Sequence, residues 1–394
     1  KVISIEEREE AKAGQDVYLT IDAEFTKAAY NIVEQLLAGL VSSKITNTRE
    51  YKATETSGSA DIKIPIYDVY YAMFNNAILD LKHMTSENAG EVEQAVYAAY
   101  LEYKQAVYEK LRQELTETKT PYQKLTKEYQ VYESNIVTLL NRNGVIMTEL
   151  VDSTDATQIA WATEEVISLN EYLKYCIAQN WIDVSKLDLN EKYSDSTEIY
   201  DKLVEYVITM IDRNTEFQKR FYKYMLLSDK ISGKQVCQML CEQKQIEVPV
   251  EDEEALYAGK MSAYDFMMNR IRNLEITPAQ LALDPCNFSV VITDVNSGDV
   301  LAMVSYPGYD NNRLANSVDS EYYSSLSNNL SLPLYNHATQ QKTAPGSTFK
   351  MVSAVAGLTE GVISIGEHIT DKGQFDRFAN GPKCWIYPSS HGFM

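Results

Sequence analysis

The longest uniform segment of the sequence, residues 51–275, carries the helical pattern that most constrains the fold. It is rich in Tyr, Glu, Lys and Leu and has little of the Gly and Pro that mark turns. Apolar residues recur every three or four positions in two neighbouring stretches: Val92, Val96, Tyr100, Tyr103, Val107 and Leu111, then Leu125, Tyr129, Tyr132, Ile136 and Leu139. This spacing predicts adjacent amphipathic helices within a helical bundle. Their tyrosines are compatible with a ligand surface, but packing between helices is favoured.

The two flanks of this segment have a mixed pattern. Residues 14–22 alternate as a short strand does, and Asp22 is placed to cap a helix over residues 23–41. The predicted buried face of that helix consists of Phe25, Ala29, Ile32, Leu36 and Leu40. Two apolar runs, "FSVVITDV" and "DVLAMVSY", flank a turn at Gly298 that predicts a hairpin. Because both runs are apolar almost throughout, the sheet is predicted to be covered on both faces.

These changes of pattern divide the chain into residues 1–50, 51–275 and 276–394. The simplest organisation is one mixed domain built from the first and third parts and interrupted by the helical second part. Such an insertion is tolerated because the entropic cost of closing a loop grows slowly with its length. The predicted class is α+β, with a mostly α-helical inserted domain.

Composition excludes several kinds of partner. The net charge of −20, with no basic run, argues against a nucleic-acid partner and against anionic lipid. No stretch reaches the roughly 20 apolar residues that cross a bilayer.

The five cysteines are scattered and odd in number, so they do not form the pattern of a small disulfide-bonded domain: Cys176, Cys237, Cys241, Cys286 and Cys384. Cys237 and Cys241 have helical spacing, yet no histidine or third cysteine is close in sequence. Packing is therefore favoured over metal binding for this pair. Neither a metal nor a cofactor is predicted.

A serine and a lysine open an apolar helix near the end of the chain. Pro345 and Gly346 allow a tight entry, and Ser347 follows where the positive end of the helix dipole lies. Lys350 returns to the same helix face three residues later. The following "MVSAVAGL" predicts a buried helix, and burial lowers the pKa of a lysine toward the range in which its neutral amine can accept a proton. The spacing thus favours an activated serine nucleophile, although on spacing alone an N-cap serine and a solvated lysine are the commoner arrangement.

Short sequence motifs around this serine and lysine resemble those of a known protein family. In chain order they are "LTID" (19–22), "VVITDVNSGDVLAMVSYPGYDNN" (290–312), "LPLYNHA" (332–338), "APGSTFK" (344–350) and "GPKCW" with a later "HG" (381–392). Together they resemble the transpeptidase domain of class B penicillin-binding proteins, with its penicillin-binding/serine β-lactamase-like fold. The resemblance covers roughly residues 10–45 and 276–394 and does not extend to the helical segment.

The resemblance implies a D,D-transpeptidase that cross-links peptidoglycan through a serine acyl-enzyme. Ser347 matches the family nucleophile and Lys350 the base that activates it. The partners implied are stem peptides ending in D-Ala-D-Ala, β-lactams as covalent inhibitors, and divisome or elongasome proteins. The backbone N–H of Ser347 would serve the oxyanion hole. The implied location is the extracytoplasmic face of the bacterial membrane, with an anchor helix that this chain lacks.

The sequence departs from the family pattern in two ways. His337 follows Asn336 where the family usually has arginine, so a structural or substrate-side contact is expected to differ there. Asn336 and His337 are the predicted substrate-binding residues. No Ser-x-Asn or Lys-Thr-Gly motif follows Lys350. The 394-residue chain is therefore expected to be incomplete as a transpeptidase, with an incomplete antiparallel sheet, while the parent protein is expected to be active.

Two alternatives remain open at this point. A serine β-lactamase or β-lactam sensor shares the serine and lysine, and rapid deacylation would identify it. A non-catalytic cell-wall scaffold is the alternative from another class of protein, since a fold can be retained after its catalytic activity has been lost.

Overall fold

The structure is a computed structural model that describes residues 14–52, 63–188, 195–375, 377, 379 and 381–393. The first thirteen residues of the predicted N-terminal part lie outside this range. The chain forms two compact units that meet in sequence between Thr339 and Gln340. None of the described helices is long and apolar enough to cross a membrane.

Helices dominate the first unit. They are α1 (Ala23–Lys44), α2 (Ile66–Asn75), α3 (Glu91–Gln113), α4 (Lys127–Arg142), α5 (Ala156–Ala162), α6 (Leu169–Ala178), α7 (Ser196–Arg213), α8 (Thr215–Leu227), α9 (Gly233–Gln243), α10 (Val250–Tyr257), α11 (Ala263–Arg272), α12 (Pro278–Leu281), α13 (Ser320–Asn328) and α14 (His337–Gln340), the last ending one residue into the second unit. Short strands β1 (Ile45–Thr46) and β2 (Ile64–Pro65) pair in parallel, and β3 (Phe288–Thr293) pairs antiparallel with β4 (Val300–Tyr306). The predicted α+β class is confirmed.

The helical region encloses one large apolar core. Both predicted amphipathic faces are confirmed, because their residues on α3 and α4 are buried in this core or packed against it. The tyrosines pack against other aromatic rings: Tyr100 stacks on Tyr222 with ring centroids 5.0 Å apart, and Tyr132 meets Phe221 edge-on at 5.5 Å. Inter-helix packing, favoured from the sequence, is therefore the arrangement of these side chains.

A buried carboxyl in this core predicts a pH-dependent stability. The Glu133 side chain is 2% exposed, and its Oε2 has no hydrogen-bond partner in the described part of the chain. Burial, and secondarily the nearby Glu114 carboxylate, raise the pKa of Glu133 from 4.5 to about 8. The folded chain thus keeps this proton at a pH where the unfolded chain has lost it. The contribution of this group to stability is full below pH 4.5 and is lost as pH rises through about 8.

We expect the Glu133→Gln variant to be more stable than the wild type at pH 9 by about 2–4 kcal/mol, and the two to converge near pH 5. Urea unfolding at both pH values measures this difference. Glu102→Gln, which changes an exposed acid on α3, is the matched control and should leave the pH dependence unchanged. A wild type and a Glu133→Gln variant with parallel pH profiles would refute the prediction.

Helix α1 and the hairpin connect the two flanks of the helical region. The Asp22 carboxylate accepts a hydrogen bond from the Phe25 N–H at 2.8 Å, so the predicted N-cap is confirmed. The Asp22 N–H donates to the Leu301 carbonyl at 2.9 Å, and the Thr20 hydroxyl donates to the Val300 carbonyl at 2.7 Å. These two bonds tie residues 20 and 22 to β4. Residues 14–22 nevertheless form no strand, contrary to the prediction. The domain boundaries at residues 50 and 275 stay a prediction.

The buried face of α1 differs from the predicted one. Phe25, Ile32, Leu36 and Leu40 are exposed, whereas Val33, Leu37, Ala38 and Val41 are buried. Val33 and Leu37 pack against Tyr306 of β4. The prediction was wrong because the helix carries two apolar stripes, and contact with the hairpin selects the second.

The hairpin itself is formed as predicted, with Gly298 at a φ of 78° in its turn. It is not covered on both faces. Ala302, Val304 and Tyr306 of β4 are buried, while Val291 of β3 remains 47% exposed. Only the face toward α1 is packed within the described residues, which explains the difference from the prediction.

The second unit contains the serine and the lysine. A 3₁₀ turn, Gly346–Thr348, leads directly into α15 (Phe349–Thr359), and β5 (Thr370–Asp371) pairs antiparallel with β6 (Gly392–Phe393). The prediction that α15 is buried is wrong: it has no buried residue, and Met351 is 70% exposed. An apolar sequence permits burial but needs a covering layer, and the described part of the chain supplies none over this helix.

Candidate active site

Ser347 lies in the turn that begins α15. Gly346 has a φ of 60°, a value that side-chain-bearing residues rarely adopt, so the sharp entry before the serine depends on glycine. The Thr348 hydroxyl donates to the Pro345 carbonyl at 2.5 Å and braces the same turn. The Ser347 side chain is exposed and has no hydrogen-bond partner within the described residues. The local fold therefore presents a free hydroxyl at the positive end of an 11-residue helix.

Lys350 lies in the first turn of α15, three residues after Ser347, a spacing at which two side chains of a helix are neighbours. Its side chain is exposed, contrary to the burial expected from the sequence. No ion pair with Lys350 occurs among the described residues. The two predicted catalytic residues thus lie three positions apart where one helix begins, and no hydrogen bond joins their side chains among the described residues. The apolar surroundings that the sequence predicted for the lysine are absent here.

Asn336 and His337 belong to the first unit. The Asn336 carboxamide oxygen accepts the N–H groups of Ala338 and Thr339 at 3.0 and 3.2 Å, as a cap for α14 does. The His337 ring is buried against Tyr335, and the backbone N–H of His337 donates to the Ser305 hydroxyl at 2.9 Å. Both residues have local structural contacts, and their predicted substrate-binding role stays a prediction.

A second cluster in the C-terminal unit was not predicted from the sequence. The donor atoms of Asp371, Cys384 and His391 all lie within 4.8 Å of one another. The His391 Nδ1 lies 2.9 Å from an Asp371 carboxylate oxygen and 3.5 Å from the Cys384 sulfur. The N–H groups of His391 and Gly373, and then the His391 ring, lower the pKa of Asp371 to about 2. The sequence signal was the cysteine of "GPKCW" and the histidine of "HG", which lie close together along the chain.

The chemistry and spacing of this cluster fit Zn²⁺. Thiolate, imidazole and carboxylate are its usual ligands, and each binds at about 2.0–2.3 Å, so two ligands on one ion lie at most about 4.6 Å apart. The distances of 2.9 and 3.5 Å from His391 Nδ1 to its two neighbours fall within that limit. Such an ion would join the end of β5 to the residue that precedes β6. It would act as a structural clip, with a fourth position open to water or another ligand.

We expect added Co²⁺, a spectroscopic substitute for Zn²⁺, to give a thiolate-to-metal absorption band that is lost in the Cys384→Ser variant. Cys286→Ser, which removes a buried cysteine of the first unit, should keep the band. A wild-type chain without the band, or a Cys384→Ser variant that retains it, would contradict the assignment.

Comparison with known proteins bears on the region that holds Ser347 and Lys350. Residues 288–380 match the profile of the family described as Penicillin binding protein transpeptidase domain. The class B resemblance drawn from the sequence is thereby confirmed, and the helical region lies outside the matched residues.

Three relatives illustrate the similarity. The chain is 42% identical over 102 residues to the peptidoglycan D,D-transpeptidase MrdA of Haemophilus influenzae, which covers 26% of this chain and 14% of that protein. It is 44% identical over 85 residues to MrdA of Escherichia coli K12, covering 22% and 13% of the two chains. It is 39% identical over 80 residues to the peptidoglycan D,D-transpeptidase PbpA of Mycobacterium tuberculosis H37Rv, a stretch that covers 20% of this chain and 16% of that protein. The chain thus aligns with only about one seventh of the length of each of these relatives.

Proposed function

We propose that this chain is part of a peptidoglycan D,D-transpeptidase in which Ser347 is the nucleophile. The observation that carries the proposal is the position of Ser347 and Lys350 at the start of α15, inside the segment that matches the penicillin-binding transpeptidase domain. The printed names of the relatives, all peptidoglycan D,D-transpeptidases, support the same activity.

The proposed reaction is acyl transfer in two steps. Ser347 Oγ attacks the carbonyl that joins the two terminal D-alanines of a stem peptide, and the Lys350 amine accepts the serine proton. The C–N bond breaks, the departing D-alanine takes up a proton, and an ester to Ser347 remains. The amine of a second stem peptide then attacks this ester, forms the cross-link and frees the serine. The exposed position of Ser347 supports access by a peptide substrate.

The proposed partners follow from this chemistry. They are stem peptides ending in D-Ala-D-Ala and, as inhibitors, β-lactams, which acylate the same serine. The proposed place of action is the extracytoplasmic face of the bacterial membrane, together with division or elongation proteins. Residues 51–275 form a helical domain inserted into the transpeptidase domain in this proposal.

Locating a penicillin adduct tests the function. The whole parent protein is incubated with a penicillin and digested, and the modified peptide is sequenced by mass spectrometry. An ester on the peptide containing Ser347 supports the proposal. An adduct on another residue, or none on folded protein, overturns it, and an adduct that is rapidly hydrolysed would instead identify a β-lactamase.

A further inference from the structure

An open cleft of about 680 Å³ lies between α1, β4 and the loop that follows β4, within the first unit. A smaller hollow of about 250 Å³ adjoins it and shares Ser305, Gly308, Tyr309 and Asn311 as walls. Volumes of this order are typical of sites for small ligands. Neither hollow includes Ser347 or Lys350.

Three tyrosines from separate elements converge on this cleft: Tyr30 from α1, Tyr309 from the loop and Tyr322 from α13. The Gly308 N–H donates to the Tyr30 hydroxyl at 3.4 Å, and the Asp310 N–H donates to the Tyr322 hydroxyl at 2.8 Å. The residues on either side of Tyr309 are therefore held in place. Tyr309 itself is 42% exposed and has no hydrogen bond or ring contact within the described residues. Its ring is a preorganised apolar surface with an unused hydroxyl at its edge.

Polar groups complete the walls. Thr26 lines the cleft, and its hydroxyl oxygen is shielded from solvent and has no hydrogen-bond partner in the described part of the chain. An unsatisfied buried hydroxyl is uncommon, and a ligand that reaches it would supply the missing bond. Asp310 and Asn311 add a carboxylate and a carboxamide to the rim.

The charge of the cleft selects the class of ligand. No lysine or arginine lines it. Lys27, next to Thr26 in sequence, does not line the cleft. Arg313, the cation nearest in sequence to Tyr309 and Asp310, is paired with Asp319 at 2.6 Å and lies over the Tyr322 ring. An anionic ligand would therefore meet Asp310 without a compensating charge. The cleft suits an uncharged ligand with apolar faces and many hydroxyl groups.

We propose that this cleft binds a saccharide chain, with one sugar ring against Tyr309 and its hydroxyls bonded to Thr26, Asp310 and Asn311. The identification of that saccharide as the glycan strand of peptidoglycan rests on the proposed transpeptidase function. In this proposal Tyr309 is a glycan-binding residue and takes no part in the acyl transfer itself.

Titration with a soluble, uncharged tetramer of N-acetylglucosamine, followed by calorimetry, tests the proposal on the full chain. We expect saturable binding to the wild type and an affinity lowered about tenfold in Tyr309→Ala, because the ring contact is lost. The matched control is Tyr323→Ala, which removes a tyrosine of α13 that is 50% exposed, against 42% for Tyr309, and does not line the cleft. The affinity of this variant should stay within about twofold of the wild type. Thr26→Val, which keeps the size of the side chain and removes the hydroxyl, should also weaken binding.

The outcomes separate this site from the proposed reaction. Absence of saturable binding to the wild type, equal affinities for the Tyr309→Ala and Tyr323→Ala variants, or displacement of the tetramer by a sugar-free stem peptide would each overturn the saccharide site. The penicillin adduct is measured on the same proteins. If Ser347 is acylated while the saccharide fails to bind, the saccharide proposal fails and the proposed function stands.

Discussion

Replacing Ser347 by alanine is expected to abolish the covalent penicillin adduct completely. The ester can form only on a side-chain oxygen, and Ser347 is the proposed source of it. The exposed hydroxyl makes no hydrogen bond within the described residues, so its removal should leave the fold intact. Intact-mass measurement after incubation of the whole parent protein with a penicillin gives the adduct directly.

Ser353→Ala is the matched control for this experiment. Ser353 lies on the same helix, is exposed, and donates only to the Phe349 carbonyl at 3.2 Å. This variant should keep the full adduct. Retention of the adduct by Ser347→Ala, or its loss in both variants, would remove the case for Ser347 as the nucleophile.

Replacing Lys350 by methionine is expected to slow acylation by about 10²–10⁴-fold, the usual contribution of a general base. Methionine keeps most of the length of the side chain but cannot accept the serine proton. Because Lys350 has no ion pair among the described residues, the substitution breaks no salt bridge there. The rate is measured by the time course of adduct formation at several penicillin concentrations.

Lys342→Met tests whether loss of any nearby positive charge has the same effect. Lys342 is an exposed lysine of the same unit that lies before the turn. Its replacement should leave the acylation rate within about twofold of the wild type. Equal rates for the Lys350 and Lys342 variants would show that Lys350 is not the base.

Features that depend on neighbouring residues were predictable from the sequence. The Asp22 cap, the turn at Gly298 and the apolar faces of α3 and α4 each arise from spacing within a few residues, and each is present. The same holds for the placement of Ser347 and Lys350 at the start of one helix. The family resemblance was also recognised from short sequence motifs in their order along the chain, and the match over residues 288–380 confirmed it.

Tertiary contacts decided what local patterns left open. Helix α1 carries two apolar stripes, and only its contact with β4 determines that Val33 and Leu37 are the buried ones. The cluster of Asp371, Cys384 and His391 forms because β5 pairs with β6. The cleft that contains Tyr309 forms because α1, β4 and α13 pack together. Periodicity thus determined which residues can share a face. Which of those faces is covered, and which distant side chains meet, was decided by packing between elements far apart in the chain.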